Sequence, residues 1–279
     1  MSSGLSLDSL LFIALRAAAK AFPEILSVYN GPFSVHSKDD LSPITEADRR
    51  SNKIIVDELS RHSPYGIISE EGRNTPFADR RSWEHFWLVD PLDGTKEFVK
   101  RNGEFTINIA FVEGRTPVLG IVYAPVLDLL YFAGDDIGSY KLEGFSDLAA
   151  EMPADLVGRA TKLTPKAPLV LDEEKKHKKI TVIGSRSHIS QDFDDYVQEL
   201  EQRYAEQIEI TTIGSALKPC YVAEGKADIY PRFGPTMEWD TAASHAVVRG
   251  VGKRMTAYDS GAELIYNKEV LVNPSFLVY

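Results

Sequence analysis

The sequence predicts a layered fold of mixed class, with an α+β amino-terminal half and an α/β carboxy-terminal half. Three observations predict it. Apolar residues recur at helical spacing near the amino terminus, three short β-rich runs lie close together before residue 135, and strand-like and helix-like segments alternate after Lys162. These patterns predict two domains, one of residues 1–160 and one of residues 161–279.

The amino-terminal half begins with two predicted helices. The first is amphipathic, because its apolar side chains repeat every three or four residues: Leu7, Leu10, Leu11, Ala14, Ala18, Ala21, Phe22 and Ile25. It has no positively charged lead-in and contains Arg16 and Lys20, so we expect neither a signal peptide nor a membrane span. The second helix begins after Thr45, runs toward Leu59, and has the pattern of a capping box with Asp48.

Short apolar runs predict the strands of an amino-terminal sheet. Two of them, residues 67–68 and 86–89, end at acidic residues, and Pro91 is predicted to stop the second one because proline has no N–H for the strand ladder. Three more are separated by tight turns and predict an antiparallel meander: residues 105–112, 117–124 and 129–133.

The carboxy-terminal half alternates predicted strands with predicted helices, which is typical of a layered α/β domain. The predicted strands are residues 180–183, 208–212, 227–230 and 270–272. The predicted helices are residues 192–205, a segment that begins at Ser215, and residues 241–248.

Composition and charge narrow the class of function. The 279 residues are 43% hydrophobic and 26% charged, which is typical of a globular enzyme. The formal net charge of −10 argues against binding to a nucleic acid polymer, so we expect a small phosphorylated ligand in a local basic pocket. A single cysteine, Cys220, allows neither an intrachain disulfide nor a thiolate metal cluster, and it fits a cytoplasmic location.

Acidic residues stand at three of the predicted element boundaries. Asp90 and Asp93 follow the strand at residues 86–89. Glu70 follows the preceding strand, and Asp240 comes just before the last predicted helix. Carboxylates are ligands of Mg²⁺, and the free amides of a helix that begins after Asp93 would attract a phosphate. The alternative is that Asp90 caps a turn and Asp93 stabilises a helix amino terminus.

Three segments resemble, in this order, signatures of the lithium-sensitive inositol monophosphatase superfamily: Ser69-Glu70-Glu71-Gly72, Asp90-Pro91-Leu92-Asp93-Gly94-Thr95 and Glu238-Trp239-Asp240-Thr241-Ala242-Ala243. Within that superfamily, residues 38–48, 214–218 and 230–236 resemble the branch of 3'(2'),5'-bisphosphate nucleotidases of the CysQ type. The resemblance covers nearly the whole chain and implies the αβαβα sandwich of the superfamily.

The resemblance implies a site for two or three Mg²⁺ ions. The implied ligands are one main-chain carbonyl and four carboxylates: Leu92, Glu70, Asp90, Asp93 and Asp240. The resemblance assigns activation of the attacking water to Thr95, whose hydroxyl is held by Asp48, with assistance from Glu70. Asp48 also fits the capping box of its helix, and the two roles are compatible.

The resemblance also implies a set of substrate-binding residues: Gly94, Thr95, His188, Gly214, Ser215, Lys218, Arg232 and Asp240. Most of those in the carboxy-terminal half would surround a phosphate that is not cleaved. Taken singly, however, Ser215 is as readily an N-cap, Lys218 a surface charge and His188 a solvated loop residue.

The activity that the resemblance implies is a Mg²⁺-dependent phosphomonoesterase that removes the 3'-phosphate of adenosine 3',5'-bisphosphate (PAP), with the sulfated nucleotide PAPS as a second substrate. An inositol or sugar phosphatase of the same superfamily would share the metal site and differ between His188 and Arg232. A non-catalytic nucleotide or metal sensor is a hypothesis of another class, which would have no use for Asp48 and Thr95. Either a monomer or a homodimer fits the sequence.

Overall fold

The computed structural model describes residues 4–37, 43–72, 75–149, 155–164, 169–171, 177–185, 190–204 and 206–279. The described residues form nine α-helices: α1 (Leu7–Asn30), α2 (Glu46–His62), α3 (Phe77–Arg80), α4 (Thr95–Val99), α5 (Phe145–Ala149), α6 (Leu156–Arg159), α7 (Gln191–Arg203), α8 (Leu217–Glu224) and α9 (Glu238–Arg249). They also form fourteen strands: β1 (His36–Ser37), β2 (Pro43–Ile44), β3 (Gly66–Ser69), β4 (His85–Asp93), β5 (Thr106–Glu113), β6 (Thr116–Ala124), β7 (Leu129–Gly134), β8 (Gly138–Glu143), β9 (Thr161–Lys162), β10 (Ile180–Ser185), β11 (Ile208–Ile213), β12 (Tyr230–Arg232), β13 (Met255–Ala257) and β14 (Phe276–Val278).

Seven strands form the central sheet, in the order β3-β4-β5-β6-β7-β8-β9. Its first pair, β3 and β4, is parallel, and each later pair is antiparallel. The predicted meander is confirmed, because β5, β6 and β7 follow one another through tight connections. The sheet places the ends of β3 and β4 side by side, which is where the acidic residues stand.

Helices cover both faces of the central sheet, and alternate side chains of β4 show how. Trp87 and Val89 lie in the core beneath α1 and α2, whereas Phe86 and Leu88 lie in the opposite core with α8 and α9. Successive side chains point to opposite faces of the sheet, and both faces are buried. Residues 86–89 are therefore continuously apolar.

The carboxy-terminal strands form two smaller sheets on the far side of α8 and α9. β10 and β11 pair in parallel, and β12, β14 and β13 form an antiparallel sheet. Helix α7 packs on the outside, where Phe193 and Leu200 contact Ile180 and Val182 in a third core. The layers are therefore helix, sheet, helix, sheet and helix, and the predicted fold class is confirmed.

Three predicted strands differ from the structure, and in place of the one predicted at residues 227–230 the structure has β12 at Tyr230–Arg232. Pro91 does not stop β4, because a bulge between Asp90 and Asp93 accommodates it and Asp93 pairs again, with Thr106. Residues 270–272 form no strand: Val270 is 66% exposed, and Val272 makes only an isolated bridge.

The boundary between residues 160 and 161 stays a prediction. The second core contains residues from both sides of it, since Leu88 and Tyr131 lie in the same cluster as Val247 and Phe276. Cys220 is buried in that cluster, as its apolar surroundings in the sequence predict. None of the described helices is both long enough and apolar enough to cross a lipid bilayer.

Candidate active site

The acidic residues meet at one end of the central sheet. The main-chain N–H of Glu70 donates to the carbonyl of Val89 at 3.1 Å, which continues the parallel pairing of β3 and β4 and brings Glu70 alongside Asp90. Asp93 is the last residue of β4, and Asp240 lies in the first turn of α9, which packs across β4, β5 and β6. Four carboxylates from three chain segments therefore share one region.

Burial and nearby negative charges raise the pKa of Asp90, Asp93 and Asp240. Asp90 is 1% exposed, and burial raises its pKa well above the ordinary value, with further increases from Glu70, Asp93 and Asp240. Burial and Asp93 likewise raise the pKa of Asp240. Burial raises the pKa of Asp93 to about 6, although the positive charge of Lys218 opposes the change. Additional positive charge beside these three aspartates would favour their ionised forms.

This donor set fits Mg²⁺, which takes hard oxygen ligands and keeps several waters, so one or two carboxylates can hold each ion. The observation that supports the fit is the mutual repulsion of buried carboxylates, which a divalent cation would relieve. Among the described residues, no three His, Cys, Asp or Glu side chains converge into a complete metal cage. The residues that would hold the ions are those predicted from the sequence: Glu70, Asp90, Asp93, Asp240 and the carbonyl of Leu92.

Asp90 also makes the local contact that the alternative interpretation predicts. Its Oδ1 accepts a hydrogen bond from the N–H of Leu92 at 3.0 Å, inside the bulge of β4. A carboxylate has a second oxygen, so this turn-capping contact is compatible with a role of Asp90 in holding a cation. Asp93 belongs to β4, not to a helix amino terminus, because α4 has Gly94 as its N-cap.

Asp48 and Thr95 are in contact although 47 positions separate them. The N–H and hydroxyl of Thr45 donate to Asp48 Oδ2 at 2.7 and 2.6 Å, which completes the predicted capping box of α2. The hydroxyl of Thr95, the first residue of α4, donates to the other oxygen, Asp48 Oδ1, at 3.4 Å. Burial raises the pKa of Asp48, and the hydrogen bonds from Thr45 oppose this change. One carboxylate therefore caps a helix and orients a hydroxyl.

The two cations predicted from the sequence, Lys218 and Arg232, line the same cleft as the carboxylates, and so does the exposed Lys96. Lys218 is 6% exposed, so it is not a surface charge, and its Nζ donates to the carbonyl of Ser215 at 2.7 Å. Burial lowers the pKa of Lys218 to about 8, although Asp93 opposes the change. Arg232 donates through Nη2 to the carbonyl of Pro235 at 3.1 Å. Its Nε is buried and has no hydrogen-bond partner among the described residues.

Ser215 is not the N-cap of α8, because that position belongs to Ala216. Its φ of 48° lies in the left-handed region, which is uncommon for residues other than glycine. Its Oγ is buried and makes no hydrogen bond to any residue that the structure describes. A buried hydroxyl in this state is available to a ligand in the cleft.

The structure brings most of the predicted site residues together around a cleft of about 230 Å³. The predicted residues that line it are Glu70, Asp93, Gly94, Thr95, Ser215, Lys218, Arg232 and Asp240. Asp48 contacts Thr95 from behind, and Asp90, Leu92 and Gly214 are buried beside residues of the lining. His188 lies outside the described residues, as do residues 38–42 of the segment 38–48.

Several residues of the cleft were not predicted from the sequence. Glu97, Tyr230 and Thr236 line it, and Glu104 contacts Gly214 at its edge. Tyr230 and Thr236 belong to the segment 230–236 on which the resemblance partly rests, so that motif could have indicated them. Spacing carries no signal for Glu97 or Glu104, whose positions depend on the approach of β11 to the β4–β5 connection.

Comparisons with known proteins agree with this geometry. The family model for the inositol monophosphatase family matches residues 6–277. The chain is 39% identical over 264 residues to the 3'(2'),5'-bisphosphate nucleotidases CysQ of Shigella flexneri and Escherichia coli (strain K12), with 94% of this chain and 96% of each relative covered. The crystal structure of CysQ from Bacteroides thetaiotaomicron is similar over 98% of this chain and 97% of that one, with 42% identity and a TM-score of 0.85. The predicted resemblance is thereby confirmed, and the chain belongs to the inositol monophosphatase family.

Proposed function

We propose that this chain is a Mg²⁺-dependent 3'(2'),5'-bisphosphate nucleotidase that hydrolyses the 3'-phosphate of PAP to give AMP and phosphate. The observation that carries the proposal is that three carboxylates, Glu70, Asp93 and Asp240, line one cleft together with the cations Lys218 and Arg232. The fourth carboxylate, Asp90, is buried beside this lining. A nucleotide with two phosphates matches this arrangement, since one phosphate can be cleaved while the other is held. The similarity to CysQ enzymes over nearly the whole chain supports the same substrate.

The proposal includes Mg²⁺ at the carboxylates, in keeping with the general Mg²⁺ dependence of the family. When bound there, Mg²⁺ would neutralise the phosphate oxygens and lower the pKa of a coordinated water. Two or three ions are proposed, held by Glu70, Asp90, Asp93, Asp240 and the carbonyl of Leu92. The chain contributes the anionic region that makes such binding favourable, and Lys218 limits the excess negative charge near Asp93.

Water activation is proposed for Thr95 and Asp48, with Glu70 nearby. Because the Thr95 hydroxyl donates to Asp48, its lone pairs remain free to accept a hydrogen bond from the attacking water. Asp48 is fixed by two bonds from Thr45, so the hydroxyl is oriented before substrate arrives. Hydrolysis forms a bond between the water oxygen and phosphorus and breaks the P–O3' bond. The attacking water loses one proton, and the leaving oxygen takes up one proton, so the products are AMP and phosphate.

The phosphate that is not cleaved is proposed to bind Ser215, Lys218 and Arg232. A buried ammonium, a guanidinium with an unpaired buried Nε, and a buried hydroxyl without a partner among the described residues are the donors that a phosphate accepts from. His188 is proposed as a further contact to the nucleotide. PAPS carries the same 3'-phosphate and is proposed as a second substrate.

The experiment that tests the proposal is phosphate release with Mg²⁺ from PAP, inositol 1-phosphate and fructose 1,6-bisphosphate, each with and without lithium. We expect a preference for PAP and inhibition by lithium, to which the family is typically sensitive. A preference for inositol or sugar phosphate would retain the metal site and overturn the substrate. Absence of turnover with every substrate would favour a sensor.

A cytoplasmic location and a monomeric or homodimeric state stay predictions.

A further inference from the structure

The turn between β11 and α8 presents two of the proposed phosphate contacts to the cleft. Its backbone conformation is unfavourable unless other residues hold it. Ser215 at its centre has a φ of 48°, which costs an L-residue free energy unless its surroundings hold it. Lys218 Nζ donates to the carbonyl of Ser215 at 2.7 Å. The position of the turn therefore sets the position of both the hydroxyl and the ammonium.

Two carboxylates from the amino-terminal half hold the turn on either side of Ser215. Glu104 Oε2 accepts a hydrogen bond from the N–H of Gly214 at 2.9 Å, across 110 positions of sequence. The N–H of Ala216 donates to Asp93. Asp93 is already assigned as a metal ligand, whereas nothing so far described gives Glu104 a function.

The fit between Glu104 and the turn is close. A Cβ added to Gly214 would lie 2.5 Å from the carbonyl oxygen of Glu104 and 2.8 Å from Cγ of Glu97, so only glycine fits there. The negative charge of Glu104 also favours the protonated form of Lys218. Glu104 itself is not among the residues that line the cleft, so it acts on the ligand through the turn.

We infer that Glu104 is a positioning residue for substrate binding, whose carboxylate holds the turn at 214–216 so that Ser215 and Lys218 can contact the phosphate that is not cleaved. This inference rests on the proposed nucleotidase function. It concerns binding and not the cleavage step, because the hydrogen bond from Glu104 holds the turn that carries Ser215 and Lys218, whereas water activation is proposed for Asp48 and Thr95. Its loss is therefore expected to affect KM much more than kcat.

The test compares steady-state kinetics on PAP for the wild type, Glu104→Ala, Glu104→Gln and Glu104→Asp. We expect Glu104→Ala to raise KM about 10-fold, the effect of losing one hydrogen bond to a charged group, with kcat within a factor of about 3. Gln keeps an oxygen at the same reach, so KM should return to within about 3-fold of the wild type. Asp is shorter by about 1.5 Å and should behave like Ala.

Asp228→Ala provides a matched control, because Asp228 Oδ2 also accepts a main-chain hydrogen bond, from Thr181 at 2.8 Å, but lies outside the cleft. It should lower the melting temperature without changing KM. Unchanged KM in Glu104→Ala, or a KM in Glu104→Gln as high as in Ala, would overturn the inference. If Glu104→Ala does not fold, the same comparison is made with Glu104→Asp, and an unchanged KM in that variant would overturn the inference. Failure of the wild type to hydrolyse PAP would instead refute the proposed function.

Discussion

At the scale of single residues, Asp48 divides its two oxygens between structure and chemistry. Oδ2 completes the cap of α2, and Oδ1 accepts from the Thr95 hydroxyl. The sequence predicts the first contact from local spacing, because the partners are three residues apart. It cannot predict the second without the fold or a resemblance, because the two partners are 47 positions apart and lie on different helices.

Thr95→Ala removes the hydroxyl that is proposed to orient the attacking water. We expect kcat on PAP to fall about 10²- to 10³-fold, within the range for loss of a group that assists proton transfer. Affinity for AMP, measured by titration calorimetry with Mg²⁺, should stay within about 3-fold, because the proposed phosphate contacts are retained. Full activity of Thr95→Ala would exclude it from the mechanism.

His245 predicts a pH dependence of stability. It is fully buried, and its ring nitrogens contact Tyr266 and Glu263, each at 2.9 Å. Burial lowers its pKa below 6.5, although Glu263 opposes the change. As the pH falls below 6.5, the unfolded chain takes up the proton first, so stability present above pH 6.5 is lost by up to about 1.4 kcal/mol per pH unit.

The measurement is the free energy of unfolding in urea at pH 7.5 and pH 5.5, for the wild type and for His245→Gln. Glutamine can hydrogen bond but does not titrate in this range, so the difference between the two proteins isolates His245. We expect the wild type to lose more stability than the variant. Equal losses would show that His245 does not contribute to the pH dependence.

At the scale of elements, the sequence predicts strands well where they are buried on both faces and poorly where they are short or exposed. β5, β6 and β7 are buried along nearly their whole length and lie close to their predicted positions. Residues 270–272 have strand-forming side chains but no neighbouring strand beyond one bridge, and β14 takes the sheet position instead. Strand propensity without a partner does not make a strand.

Pro91 shows the same dependence on a partner. Proline lacks an N–H, which predicts a strand end, but in β4 the missing donor falls in the bulge between Asp90 and Asp93. The bulge changes the direction of the strand between the two carboxylates. Its presence depends on the partner strand β5, which resumes pairing at Asp93, so local sequence rules do not predict it.

The packing of β6 against α9 predicts the effect of a small substitution. A Cβ at Gly120 would lie 2.2 Å from the carbonyl oxygen of Ala243 in α9, so Gly120→Ala forces the helix away from the sheet. We expect a loss of about 1–3 kcal/mol in unfolding free energy and reduced activity, because Asp240 lies on the same helix. Denaturant titration and the PAP assay measure the two effects.

Gly158→Ala is the control for this substitution, since an added Cβ there meets nothing within 4 Å. It should leave both stability and activity close to the wild type. A Gly120→Ala protein as stable as the wild type would show that the separation between β6 and α9 is not fixed by this contact.

At the scale of the whole molecule, the site is a product of long-range assembly. The carboxylates proposed to bind metal come mostly from the amino-terminal half, and the proposed phosphate contacts come from the carboxy-terminal half. Ligand types could be predicted from the sequence because acidic residues stand at element ends. That these residues converge could be predicted only from the family resemblance. The contact of Glu104 with the turn could be found only from the structure.

The charge balance of the molecule predicts a response to Mg²⁺. With EDTA the carboxylates repel one another, and Mg²⁺ at about 100 times its Kd would stabilise the folded state by about 2.7 kcal/mol. We expect a corresponding rise in melting temperature of the wild type. Asp90→Asn removes one buried negative charge, so this variant should be at least as stable as the wild type in EDTA. Its melting temperature should rise much less with Mg²⁺ than that of the wild type.

Asp228→Asn is the matched control for the Mg²⁺ response, because it alters a carboxylate that accepts a main-chain hydrogen bond outside the cleft. Its melting temperature should rise with Mg²⁺ as much as that of the wild type. A response that persists in Asp90→Asn and disappears in Asp228→Asn would place the cation elsewhere.

We propose that one cleft holds metal ions at its carboxylates and a second phosphate at its cations. A crystal structure with Mn²⁺ in place of Mg²⁺ and with AMP, the proposed product, tests it most directly. We predict anomalous signal beside Glu70, Asp90, Asp93 and Asp240, with the 5'-phosphate against Ser215, Lys218 and Arg232. Mn²⁺ bound away from these carboxylates, or a 5'-phosphate that contacts none of the three residues, would contradict the account.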